Sequence, residues 1–214
     1  MNNKKRIITF ICLIYILLSS LLGCKQTPSA SEVALGYYNL LIKQDSSNVI
    51  SLGMSPQTAH IVISNLHTTL RNQIENQLSM NQLITLTDEQ ITTIENAYLS
   101  TLHQLNATAH SKRIGLNAYN VTLSSPSINF AEINQNAANK ALKQVSILDY
   151  PNETTYLSNL TETYISYLIE GYTHAIPASH SSEASFIFTK QHGLWLPKNQ
   201  EDFVSRVCNL VNFQ

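Results

Sequence analysis

Ala184-Ser185-Phe186-Ile187-Phe188-Thr189, followed by Gln191-His192-Gly193 and then Leu194-Trp195-Leu196, is the stretch that decides the fold. β-Branched and aromatic residues dominate both runs, as a pleated, half-buried surface favours. Gly193 can take the positive φ that a tight turn requires, so the two runs read as a hairpin. Pro197 ends the second strand because it has no N–H to give to a ladder. A closing helix follows from Gln200 to Val211, where Phe203-Val204-Ser205-Arg206-Val207-Cys208-Asn209-Leu210-Val211 repeats apolar residues at helical spacing.

Further upstream the period again falls to two. From Thr108, Ile114, Leu116 and Ala118 alternate with polar neighbours, and Val121 and Leu123 resume the pattern after a slip at Tyr119-Asn120. One bulged strand ending at Ser124-Ser125-Pro126 is expected. Elsewhere the spacing is helical. Ser29 and Glu32 form a capping box ahead of a helix with Val33, Tyr37, Leu40 and Leu41 on one face. A short helix over Ser47 to Leu52 stops at Gly53. Ser55-Pro56 then opens a longer one to about Leu78, with the stripe Ile61, Leu66, Leu70, Ile74 and Leu78. Thr87-Asp88-Glu89-Gln90 starts the next helix, which should reach about Leu105, its acids in the first turn where the macrodipole favours them. Two more are expected at about Phe130 to Val145 and Glu153 to His174.

The expected class is therefore α+β, helices packed on a small antiparallel sheet with extra helices in the N-terminal half. Tyr98-Leu99-Ser100-Thr101-Leu102 and Tyr164-Ile165-Ser166-Tyr167-Leu168 match in register about 66 residues apart. Two readings fit that match: a helix-helix-strand pseudo-repeat, or two amphipathic helices of equal period.

The start of the chain carries an address. Lys4-Lys5-Arg6, an apolar run from Ile7 and then Leu21-Leu22-Gly23-Cys24 read as a lipoprotein signal peptide, with small Gly23 before the cysteine that becomes residue one. As a helix, Ile7 to Leu22 rises only about 24 Å, short of the ~30 Å hydrocarbon core, which disfavours an uncleaved spanning anchor. The organisation expected is a signal peptide over 1–23, a lipidated Cys24 with a short linker over 24–30, and one exported α+β domain over 31–214, with two small lobes as the alternative. Two acyl chains on Cys24 would hold the domain stably at the outer, extracytoplasmic face of the cell membrane.

Charge narrows the partners. Losing Lys4, Lys5 and Arg6 from thirteen basic residues leaves ten against fourteen acidic, a net charge of −4. No basic cluster exceeds Lys112-Arg113, so neither nucleic acid nor a lipid-headgroup patch is expected. With six glycines, the chain has no Gly-x-Gly-x-x-Gly, phosphate loop, Gly-x-Ser-x-Gly, Ser-x-x-Lys or His-Glu-x-x-His. His60 and His67, His103 and His110, and His174 and His180 lack the spacing or companions of ligand pairs, so no metal and no cofactor is expected. Glu132, Asp149, Glu162 and Glu170 read as solvated acids. Cys12 leaves with the signal peptide and Cys24 goes to lipid. Cys208, in the closing helix, is then expected to be a buried structural thiol. Tyr37, Tyr119, Tyr164 and Trp195, with Tyr167 and Tyr172, offer stacking faces and hydroxyls for a small-ligand pocket, or a core that uses Tyr because its tip reaches water.

An acylatable cysteine, a short linker, an opening helix ending in Lys43-Gln44-Asp45, and Gly193-Leu194-Trp195 before a final helix together resemble an uncharacterised family of Gram-positive bacterial lipoproteins. Their exported domains are similar to the cone-like, cystatin-like α+β fold of nuclear transport factor two. The resemblance implies a cell-surface domain without an assigned catalytic residue. Gln57 to Leu105 is longer and more helical than that simple cone carries.

The expected function is thus a non-catalytic binding or interaction domain, anchored through Cys24, for a surface protein, a small molecule or cell-wall material. The alternatives are an enzyme using an apolar cavity and one acid or histidine, and a spacer in an envelope assembly.

Overall fold

The computed structural model of the chain describes residues 28–78, 86–191 and 193–212. Cys24, the signal segment and His192 lie outside them. Seven helices and four strands follow in the order α1 (Ala30–Lys43), α2 (Ser47–Ser51), α3 (Pro56–Leu78), α4 (Asp88–His103), β1 (Thr108–Gly115), β2 (Ala118–Pro126), α5 (Phe130–Val145), α6 (Glu153–Thr173), β3 (Ser181–Gln191), β4 (Leu194–Pro197) and α7 (Gln200–Leu210). In chain order, a helix pair precedes a hairpin twice, α3 and α4 before β1 and β2, then α5 and α6 before β3 and β4. No helix among the described residues is long and apolar enough to cross a membrane.

The chain separates into two compact units, each assembled from separated segments. Unit 1 takes the described parts of Met1–Leu66, Asn106–Ser127 and Ser179–Val211, and unit 2 those of His67–Leu105, Ile128–Ala178 and Asn212–Gln214.

Unit 1 is a four-stranded antiparallel sheet, order β1-β2-β3-β4, backed by helices. Register places Tyr119 opposite Phe188, Val121 opposite Phe186 and Leu123 opposite Ala184, so one face of β2 and β3 is apolar and buried. Phe203 of α7 plugs into that face. Its ring lies 4.7 Å from Phe186, 5.6 Å from Phe188 and 6.1 Å from Tyr37 of α1, each edge-on, as the ring quadrupole prefers. The helix begins as the sequence foretells: the Ser29 side chain accepts from the Glu32 amide while Glu32 reaches back to the Ser29 amide at 2.7 Å. The Ser29 amide, and then its hydroxyl at 2.8 Å, donate to the Glu32 carboxyl and hold it below its usual range. Tyr38 is wholly buried, and Ser125 spends its proton on the Pro126 carbonyl, leaving Oγ to accept from the Tyr38 hydroxyl at 2.7 Å.

The single bulged strand expected from Thr108 to Pro126 is instead two strands. The ladder slips between Arg113 and Gly115, and the chain turns at Leu116-Asn117 before Ala118. Leu116 sits at the hairpin tip, 87% exposed, where its apolarity continued the period-two pattern and hid the turn. The other hairpin forms as expected, with Gly193 at φ +87°. The expected stripe of α3 holds in its second half, where Ile74 is buried and Leu70 and Leu78 pack beside it, but at its start Val62 is buried while Ile61 faces solvent.

Unit 2 is helical. Ile74, Leu86, Ile91, Ile94, Ala137, Ile165, Leu168 and Tyr172 form its core. Three rings meet within it: Tyr98 and Phe130 at 4.7 Å, with Tyr172 at 5.8 Å from both. Thr101 ties α4 to α6 by donating to the Tyr172 carbonyl at 2.8 Å. Gly171 of α6 packs against α5, where an added Cβ would stand 2.6 Å from Ile133 Cγ2. Ile133 is β-branched on a helix and holds essentially one χ1 rotamer, so it yields poorly. Gly171→Ala should then cost about 1 kcal/mol, overpacking of roughly 2 outweighing the ~1 gained in helix propensity. Urea midpoints check it, and Ile133→Ala in the same chain should turn the loss into a gain.

Candidate functional site

The aromatic residues expected to line a pocket fall into two groups. Tyr119 meets Trp195 edge-on at 4.9 Å in unit 1, and Lys190 Nζ lies 5.7 Å from the Trp195 ring. Tyr37 and Trp195 share the lining of one small cavity with Val33, Val49, Leu52 and Met54. Its free volume is about 10 Å³, room for a single water. Burial pushes the Tyr37 hydroxyl up to about 12, so it stays protonated at any physiological pH. Tyr164 belongs to unit 2, where its hydroxyl points to Asn134 Oδ1 at 3.5 Å.

Larger openings flank α5 within unit 2. On one side of the helix, Ala131, Asn134, Gln135, Ala138, Ala141 and Leu142 meet Leu160, Thr161 and Tyr164 of α6 around about 370 Å³, with Leu78 at one end. No charged side chain lines it. On the other side, about 480 Å³ opens between α5 and the C-terminal half of α6. Ile133, Ala137 and Gly171 are in its wall, beside Glu132, Asn136, Lys140, Glu170 and His174. Lys140 pairs with Glu170 at 3.4 Å and lies 5.1 Å from the Tyr167 ring centroid, while Tyr167 donates to Gln144 Oε1 at 2.6 Å. Both volumes are within the usual range for small-molecule sites. Both are open clefts lined by side chains that can donate, accept and stack.

One cluster has no forerunner in the sequence reading. Glu95 is 4% exposed, yet it carries a carboxylate on the buried side of α4. His67 Nδ1 lies 2.7 Å from Oε1, and Arg71 donates to Oε2 at 3.1 Å, to Thr92 Oγ1 at 2.9 Å and to Asp88. The Glu95 hydrogen bond is the main reason the Arg71 guanidinium holds its proton above its already high range. The available signal is positional: Ile91, Ile94, Glu95, Tyr98 and Leu102 recur at helical spacing, which puts an acid inside an apolar stripe. A carboxylate holding one imidazole nitrogen orients a base in some hydrolases. Here the second carboxylate oxygen goes to Arg71, and the five side chains tie α3 to α4. Of the other histidines, His60, His103, His110, His174 and His180 are exposed. No group of three metal-ligating side chains converges among the described residues.

Cys208 is half-buried in α7, and burial pushes its thiol up to about 11. Since the thiolate is the nucleophile, the folded chain should react slowly with a disulfide reagent at pH 8 and at the ordinary rate in urea. The raised value also has a stability sign. Stabilisation from the buried neutral thiol is complete below pH 9 and lost as pH rises toward 11, because the unfolded thiol ionises first.

No family model matches the chain, and no curated protein matches its sequence. Among solved structures, the Bacillus subtilis candidate lipoprotein YcdA aligns over 86% of this chain with a TM-score of 0.60 and 13% identity. The aligned part is 56% of that protein, so this chain spans little more than half its length. The likeness is one of fold, and the α+β arrangement described above is shared with it.

Proposed function

We propose that the chain is an extracytoplasmic lipoprotein, held by a diacylated Cys24 at the outer face of the cell membrane, whose folded part binds a partner rather than turning over a substrate. The observation that carries this reading is the N-terminal order of Lys4-Lys5-Arg6, apolar run and Leu21-Leu22-Gly23-Cys24. Support comes from the fold shared with a protein itself named as a candidate lipoprotein. The helix-backed sheet of unit 1 is, in this reading, the cone of the nuclear-transport-factor-two-like fold. The binding role draws on the clefts beside α5, which offer amides, one ion pair and a tyrosine ring without a nucleophile held by a base.

Metabolic labelling with an alkyne palmitate tests the anchor. The full chain in a Gram-positive host should be labelled and sediment with membranes, and Cys24→Ser should abolish both. A labelled Cys24→Ser chain would overturn the assignment. Native mass spectrometry of the chain purified gently from its host tests the binding role. A retained mass that Ala138→Trp or Asn136→Trp removes supports a ligand in one of the two clefts, and a bare chain in every preparation overturns a tight small-molecule ligand.

A further inference from the structure

We infer that β1 is a docking edge for an extended, acidic peptide segment of a partner protein, which joins the unit 1 sheet as a fifth strand. The sheet has two edges, and they are built differently. β4 is four residues long, ends in Pro197, and has Trp195, Leu196 and Pro197 buried, which are devices that blunt an edge. β1 runs for eight residues without a proline, pairs only with β2 among the described residues, and exposes its side chains on both faces except at Ala109. Alternate amides and carbonyls on its outer side are therefore presented to solvent in a regular row. Such a row is what strand addition uses for affinity, side chains then setting the partner.

Charge selects the occupant. Along Thr108-Ala109-His110-Ser111-Lys112-Arg113-Ile114-Gly115 there are two fixed cations, a histidine and no acid. No carboxylate lies within ion-pair distance of Lys112 or Arg113 among the described residues. Arg113 Nε instead donates to the Gly115 carbonyl at 3.0 Å, which fixes the guanidinium at the strand end. A second copy of β1 laid antiparallel along its whole length would set Arg113 opposite His110 with the copy's Lys112 diagonal to it on the same face, and like charges across a ladder repel. Lys112 and Ile114 share one face of β1 and Arg113 the other, so a strand with acids on both faces meets both cations and can lay an apolar residue beside Ile114, which is half exposed.

This inference rests on the interaction role proposed above but not on the anchor, so peptide binding and Cys24 labelling can fail separately. The test titrates the full chain in detergent with the peptide Glu-Val-Glu-Glu-Glu-Val-Glu, which carries acids on both faces, using Lys-Val-Lys-Lys-Lys-Val-Lys as comparison, and follows amide exchange by NMR. The acidic peptide should bind, protect every second amide of β1, and lose at least about tenfold in affinity in Lys112→Glu/Arg113→Glu. The lysine peptide should not bind. Several results would overturn the proposal: equal binding of both peptides, binding without alternate protection in β1, no binding at millimolar peptide, or a chain that already pairs β1 with a second copy. No binding at millimolar peptide would leave the cations as guards against edge-to-edge pairing.

Discussion

Phe203→Ala should lower the stability of unit 1 by about 3–5 kcal/mol, the range for truncating a fully buried aromatic side chain. The ring is 2% exposed and is the one that Phe186, Phe188 and Tyr37 all touch, so its loss opens a cavity that both α1 and β3 border. Neither α1 nor β3 can close the gap alone, because each is pinned elsewhere: β3 by its ladder with β2, α1 by the Tyr38–Ser125 hydrogen bond. Trp195, the chain's single tryptophan, is buried in the same unit, and its fluorescence during urea unfolding reads the change directly. Phe203→Leu keeps most of the volume and should lose about 1 kcal/mol. A loss below that in Phe203→Ala would mean that α7 is not what seals the sheet.

Glu95→Ala should cost about 3 kcal/mol in unit 2, the lower end for breaking a buried pair. The substitution removes the one acceptor that Arg71 and His67 share, leaving His67 without its carboxylate and Arg71 with only Thr92 and Asp88. Far-UV circular dichroism in urea follows this unit, which is helical and lacks tryptophan. The informative comparison is Glu95→Leu combined with Arg71→Met and His67→Leu. Replacing the whole network by apolar residues should restore most of the loss, since the cost lies in stranded polar groups rather than in missing attraction. An unchanged midpoint in Glu95→Ala would show that water reaches the carboxylate in solution.

Local signals in the sequence were decisive where physics is local. Ser29 with Glu32 and Thr87 with Gln90 are both capping boxes, and Pro56, Phe130 and Glu153 open helices where expected. Boundaries of that kind depend on which backbone amides lack partners, and a few residues decide it. The β1–β2 turn was not legible because Gly115-Leu116-Asn117 keeps the alternation running through it. Nor could periodicity separate Ile61 from Val62, which differ by one position on α3 and reverse their exposure. The aromatic candidates show the larger gap. Tyr119 and Trp195 come together because a ladder brings β2, β3 and β4 side by side, yet no local pattern assigns Tyr164 to the other unit. Glu95 was readable as an acid in an apolar stripe, but its partners lie on another helix, and no spacing within α4 names them.

The interleaving of the two units also fixes an order of events. Nearly all of unit 2 lies between His67 and Ala178, whereas β2 of unit 1 waits for β3, which follows α5 and α6 in the chain. A chain synthesised from its N-terminus can complete the helical unit first. Meanwhile β1 and β2 have only α1 to pack on, through contacts such as Tyr38 with Ser125, and two strands are of marginal stability in water until the residues after Ser179 arrive. The edge of β2 that β3 will take is unpaired during that interval, so the time before Ser179 is made is when this chain most needs an escort.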